Sequence, residues 1–383
     1  MLDVGLKEEA LQFHKKFRGK LSTLVNPQIK NISDMILAYT PGVAEVSKVI
    51  AEDRSKVYDY TIKSHTVAII SDGSAVLGLG NIGPEAALPV MEGKAALFKT
   101  FAGIDAFPLC LATQDSSEII KIVKAVAPTF GGINLEDISA PRCFEIEAAL
   151  QNIGIPVMHD DQHGAAIVVL AGLINASKVA GKKLADLKVV VLGAGAAGSA
   201  IAKLLSKVVS DVIAVDVKGI INQDDQGLDK YKKELAELTN KRKLKGGLQD
   251  ALLDADVFVG VSRENLVTAE DIKLMGERAV VFALANPIPE IMPQEAKMGG
   301  AFIVGTGRSD FPNQINNSLA FPGVFKGALS VKALMITEEM KIAAANALAK
   351  LVKHPTVDKV IPGAFDKGVT DAVCDSVAKA YKA

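Results

Sequence analysis

Short apolar runs alternate with longer amphipathic stretches along most of the chain. The runs at 66–70, 107–111, 132–135 and 155–158 are only four or five residues long and rich in Val, Ile and Leu. Such runs predict strands buried on both faces. Between them, 86–100, 117–127 and 143–152 repeat apolar residues at helical spacing. A further helix is expected over 165–180, ending at Gly181. A second series of strands is expected at 189–192, 212–215, 257–259, 280–283 and 302–304, again with helical stretches between. Ahead of the first strand, 7–17 and 44–53 read as charged helices. Beyond residue 325 the chain turns helical, and one long alanine-rich helix is expected over 329–349. The rhythm predicts an α/β protein with largely parallel sheets. At 383 residues it exceeds one ordinary core. The expected division is 1–160 and 161–383, the second a Rossmann-type doubly wound domain with helices at its C-terminal end.

The junction at 187–198 sharpens that second domain. Val189, Val190, Val191 and Leu192 run into Gly193, Gly195 and Gly198, a G-x-G-x-x-G turn opening a helix with Ala196 and Ala197. The first glycine permits the turn, the second lets backbone approach a pyrophosphate, and the third lets helix pack on strand. Free N–H groups and the positive dipole end would hold the phosphates. The next strand ends in Asp216, whose carboxylate can accept from a ribose diol. A dinucleotide site follows. Asp216 leans it toward NAD, since its charge repels a 2′-phosphate, while Lys218 can offset that repulsion toward NADP.

Four polar clusters in the first half sit at strand ends or helix starts. Glu136 and Asp137 follow one strand; Asp160 and Asp161 follow the next, flanked by His159 and His163. Converging carboxylates suit Mg²⁺ or Mn²⁺ better than zinc, and the histidine spacing matches no zinc helix. Glu136 and Asp137 would serve equally as helix caps or solvated loop acids. Lys94 lies in an otherwise apolar helical stretch, where desolvation would lower its pKa toward that of a base; the ordinary alternative is a snorkelling lysine. Tyr39, before Thr-Pro-Gly, could present its hydroxyl as an acid or simply pack.

Composition narrows the class. Net charge is −1, hydrophobic residues make up 49% and mean hydropathy is +0.26. Interspersed charge argues against a nucleic-acid or membrane-binding face. Three scattered cysteines match no metal spacing and fit a reducing compartment. Residues 1–20 lack an apolar leader core, and no run of about twenty uncharged apolar residues stands out. A cytoplasmic protein is expected.

Taken in order, Tyr39-Thr-Pro-Gly-Val-Ala44, the stretch 71–83, Glu92-Gly-Lys94, 101–105, Leu135-Glu-Asp137, 159–164, 193–198, Asn286-Pro287 and 316–323 resemble the malic enzyme family, in its shorter prokaryotic-type branch. The resemblance implies oxidative decarboxylation of L-malate to pyruvate and CO₂ with NAD(P)⁺ and a divalent metal. It casts Lys94 as general base, Tyr39 as the acid that protonates C3, and Glu136, Asp137 and Asp161 as metal ligands. Asp160 would orient a ligand or the lysine. Asn286 and Asn317 would contact substrate and nicotinamide. Larger family members carry an arginine where this chain has Ala75, so Ser74, Asn286, Asn317 or a lysine would have to grip the malate carboxylate. A homodimer is the expected assembly, with Tyr39 serving its own or a partner's site. Malolactic conversion on bound NAD is the nearest alternative. An amino-acid dehydrogenase would not need the acids, and a nucleotide-sensing scaffold would not need Lys94.

Overall fold

The computed structural model describes residues 4–382. Two parallel sheets organise it. The first has strands β1 (Thr66–Ser71), β2 (Asp105–Cys110), β3 (Gly132–Leu135) and β4 (Val157–His159) in the order β2-β1-β3-β4, all parallel. The second has β5 (Lys188–Leu192), β6 (Asp211–Asp216), β7 (Gly219–Ile220), β8 (Val257–Gly260), β9 (Val280–Ala283) and β10 (Ile303–Thr306). Their order is β10-β9-β8-β5-β6-β7, parallel except for the antiparallel edge strand β7. Every residue of β1, β3, β8, β9 and β10 is buried, as strands covered on both faces require.

One helix joins the two units. Asp160–Ala180 starts five residues earlier than the apolar pattern suggests, because Asp160 and Asp161 occupy its first turn, where the helix dipole favours acids. It is long and apolar enough to cross a membrane by length and composition alone, but most of it is buried inside this fold. Ile167, Val168, Leu170 and Leu173 fill one continuous core with β5, β8 and β9 side chains. Asn175 Nδ2 donates to the carbonyls of Ala349 (2.8 Å) and Val360 (3.0 Å), pinning the rod to the C-terminal segment.

That C-terminal segment is not the single helix expected over 329–349. Phe321–Ser330 stops, and Glu338–Leu351 begins anew behind Thr337, whose hydroxyl accepts from Met340 N. Lys332 takes a positive φ in the break, and a capping threonine followed by two glutamates restarts a helix. Phe321–Ser330 returns to the first unit: Phe98 meets Phe321 and Phe325 edge-on, with centroids 4.7 and 5.4 Å apart. The N-terminal arm differs. Its helices Val4–Phe17, Ile32–Ala38 and Gly42–Glu52 and the stretch between the first two leave Phe17, Leu24, Ile32 and Leu37 exposed, the last two helices burying no residue.

Candidate active site

The acids gather because β3 and β4 are parallel neighbours, with Leu135 opposite His159. Their ends deliver Glu136 and Asp137 beside Asp160 and Asp161. One carboxylate oxygen each from Glu136, Asp137 and Asp161 lies within 4.8 Å of the others. Asp137 adopts a positive φ, and its N–H donates to Asp161 Oδ2 at 2.7 Å. Asp137 Oδ2 is buried with no hydrogen-bond partner. Burial, then repulsion from Asp161 and Glu136, pushes the Asp137 carboxyl up to about 9. Burial likewise raises Asp161 to about 6, against the pull of Lys94, and raises Glu136. An orphaned oxygen among three crowded hard ligands is what a divalent cation would satisfy, so the residues fit Mg²⁺ or Mn²⁺.

Lys94 extends from the helix Pro84–Leu97 into this cluster. Its Nζ lies 2.7 Å from Glu136 Oε1, pairs with Asp160 Oδ2, and sits 4.1 Å from the centre of the Phe321 ring. Burial alone would lower its pKa, as the sequence suggests. The charges of Asp160, Glu136 and Asp161 outweigh burial, and the pKa is raised instead. The expected depressed lysine is therefore corrected: with these carboxylates free, Lys94 is an ammonium. Asp160 is fully buried and pushed by burial up to about 7, with Lys94 opposing. Asn317 Nδ2 donates to Asp160 Oδ2 at 2.7 Å. The histidines form no zinc set. Neither ring nitrogen of buried His159 has a hydrogen-bond partner, while His163 Nε2 turns to Glu147 Oε2 at 2.9 Å.

Across the cleft stands the glycine turn. Gly193 has φ +106°, and its N–H reaches Val215 O at 2.8 Å. A methyl group on Gly198 would lie 1.7 Å from Gly193 O, so strand and helix meet only because no side chain intervenes. Gly195 precedes the helix Ala196–Leu205, and the space beside it is open. Asp216, at the end of β6, lies 2.6 Å from Lys232 Nζ. A single cleft of about 830 Å³ is lined by Lys94, Glu136, Asp137 and Asp161 on one wall. Gly195, Ala196, Ala197, Ser262, Asn286 and Asn317 line the other.

Two expected residues are placed elsewhere. The Ser74 hydroxyl donates to Asp72 Oδ1 (2.6 Å) and accepts from Ser139 N (2.9 Å) and Arg142 Nη2 (2.9 Å). It braces the loop behind Ala75, which lines the cleft, and Ser74 itself is not among the lining residues. Tyr39, at the end of Ile32–Ala38, is 69% exposed and is not among the residues lining the cleft. Sequence reasoning missed Ser262, whose only signal is its place two residues past the end of β8. It also missed Glu147, which reads as an ordinary helical glutamate.

Two family descriptions match consecutive parts of the chain: the malic enzyme N-terminal domain over residues 18–151 and the malic enzyme NAD-binding domain over 162–379. The chain belongs to the malic enzyme family. It is 56% identical over 382 residues to a bifunctional malic/malolactic enzyme of Bacillus subtilis, covering 98% of this chain and 93% of that one. It is 48% identical over 367 residues to an NADP-dependent malic enzyme of Halomonas elongata, covering 94% and 86%. Among solved structures it superposes on an NAD-dependent malic enzyme from Thermotoga maritima with a TM-score of 0.93 and 51% identity, covering 96% and 98%. The chain is an NAD- or NADP-dependent oxidoreductase of malate.

Proposed function

We propose that this chain oxidatively decarboxylates L-malate to pyruvate and CO₂ on a divalent metal held by Glu136, Asp137 and Asp161. The observation that carries this reading is the acid triad and Lys94 facing the glycine turn across one cleft. Bound there, Mg²⁺ or Mn²⁺ would supply Lewis-acid polarisation of the substrate oxygens, and NAD(P)⁺ would take the hydride. Lys94 removes the proton from the C2 hydroxyl. Three carboxylates hold Lys94 protonated. With Glu136 and Asp161 engaged as ligands, only Asp160 keeps that hold, and the neutral amine needed in a base comes within reach. Asp160, fixed by Asn317, keeps the amine aimed at C2. Asn286 and Asn317 donate to substrate and nicotinamide from the opposite wall.

Tyr39 acts as the acid at C3, and we place it in the cleft of a second copy. The exposed apolar arm that carries it, with Leu24 88% and Leu37 76% exposed, supports a homodimer built on this arm. The coenzyme is NAD in the first instance: Asp216 keeps its charge beside Lys232, opposing a 2′-phosphate, though Lys232 and Lys218 stand ready to pair with one. The test is a spectrophotometric assay with L-malate and Mn²⁺, comparing NAD⁺ with NADP⁺ and quantifying both pyruvate and lactate. Reduced coenzyme accumulating one-for-one with pyruvate is expected. Lactate without accumulated NADH would establish malolactic conversion instead, a reading favoured by the bifunctional Bacillus relative.

A further inference from the structure

Glu290 is completely buried, forms no ion pair among the described residues, and lies outside the acid cluster. Its two oxygens face two different loops. Ser262 N donates to Oε1 at 2.6 Å, and Ala285 N donates to Oε2 at 3.1 Å. The first loop follows β8 and the second follows β9, which pair in parallel with Gly260 opposite Ala283. Both loops line the catalytic cleft through Val261, Ser262, Ala285 and Asn286. The backbone adds two further ties, since the carbonyls of Glu290 and Pro289 accept from Val267 N (3.0 Å) and Asn265 N (3.2 Å).

The chemistry of the side chain matters here. Both N–H groups need an acceptor, and only a carboxylate offers one on each oxygen; an amide would turn a donor toward one of them. Space is reserved for it: a methyl group on Gly260 would lie 2.5 Å from Glu290 Cδ. A buried carboxylate with only backbone donors is expensive to bury, and here that cost is spent tying together two loops that line the cleft. We propose that Glu290 is a positioning residue for the nicotinamide and for hydride transfer, acting through the two loops whose N–H groups it clamps. Asn286 lies four residues before Glu290, immediately after the clamped Ala285 N–H. Its own backbone oxygen would lie 2.6 Å from a methyl group on Gly78, so it stands in close contact with the opposite unit. Releasing the clamp therefore lets the loop that faces both substrate and coenzyme drift.

This inference rests on the malate-oxidising reading for its kinetic arm but not for its binding arm. Glu290→Gln, Glu290→Asp and Gly260→Ala are compared with the parent, all at a temperature where circular dichroism shows them folded. NADH affinity, read from nicotinamide fluorescence, is expected to fall at least tenfold in Glu290→Gln. AMP affinity, which reports the adenine end alone, is expected to stay within twofold. With L-malate, kcat/KM is expected to fall tenfold or more, and the primary isotope effect with C2-deuterated malate to rise. Glu290→Asp should fall between. Should Glu290→Gln not fold, Gly260→Ala displaces the same carboxylate without removing its charge and should give the same NADH-over-AMP split. Unchanged NADH affinity in the folded variants, or equal losses of NADH and AMP binding, would overturn the proposal. A parent that binds NADH normally but does not oxidise malate would instead overturn the functional reading.

Discussion

Replacing Glu147 with glutamine tests how the acid-bearing helix is held. Glu147 is buried on the helix Arg142–Leu150, and its Oε1 accepts from His159 N at 2.8 Å, the residue just before Asp160. Oε2 accepts from Gln162 Nε2 (3.1 Å) and His163 Nε2 (2.9 Å). Lys341 Nζ lies 3.0 Å from His163 Nδ1 and 2.9 Å from Glu338 Oε1. Burial by itself would raise the Glu147 carboxyl, but His163, Lys341 and these hydrogen bonds hold it at about 2, against 4.5 for a free glutamate. A folded-state pKa below the unfolded one adds stability that is fully present above the unfolded value and disappears as pH falls through the folded value. That difference corresponds to about 3 kcal/mol at neutral pH. Losing one or two charge-assisted bonds at about 1.5–3 kcal/mol each leads to the same size. Urea unfolding of parent and Glu147→Gln should therefore differ by about 3 kcal/mol at pH 7 and by only about 1 kcal/mol at pH 3. A gap of the same size at both pH values would refute the electrostatic account; a gap under about 1 kcal/mol at pH 7 would refute the reasoning altogether.

Further outcomes are expected at the cleft. Lys94→Ala should abolish malate oxidation while NAD⁺ affinity changes less than threefold, checked by steady-state kinetics and calorimetry. Mixing Lys94→Ala with Tyr39→Phe subunits should restore about a quarter of parental activity if each tyrosine serves its partner's cleft, because one cleft of a mixed dimer is then intact; no recovery would return Tyr39 to its own chain. Asp161→Asn should weaken Mn²⁺ binding at least tenfold in a metal titration, since it removes one of three clustered charges. Asp216→Ser should shift the NADP⁺ to NAD⁺ ratio of kcat/KM at least tenfold toward NADP⁺, freeing Lys232 and Lys218 for a 2′-phosphate.

Most strands were readable because they are short β-branched runs closed on both faces: β3 and β9 fall on the expected residues, and β5 and β8 each differ by one. The glycine turn was readable because its constraints are local: a positive φ at Gly193 and a carbonyl against Gly198. What escaped depends on distant parts meeting. Nothing near Lys94 in the chain shows that Glu136 and Asp160 will surround it, so the direction of its pKa came out reversed. Nothing near Ser74 in the chain shows that Ser139 and Arg142 will close around its hydroxyl. The broken helix at 331–337 was hidden by continuous helical composition, where Thr337 carries the only local signal.

The rod Asp160–Ala180 carries Asp161 in its first turn and is anchored near its other end through Asn175. An α-helix advances about 1.5 Å and turns about 100° with each residue. One residue added or lost between Asp161 and Asn175 would swing Asp161 a quarter-turn or more away from Glu136 and Asp137. The spacing between those two positions thus works as a fixed gauge length, an interval that admits neither insertion nor deletion without moving Asp161 off the cluster.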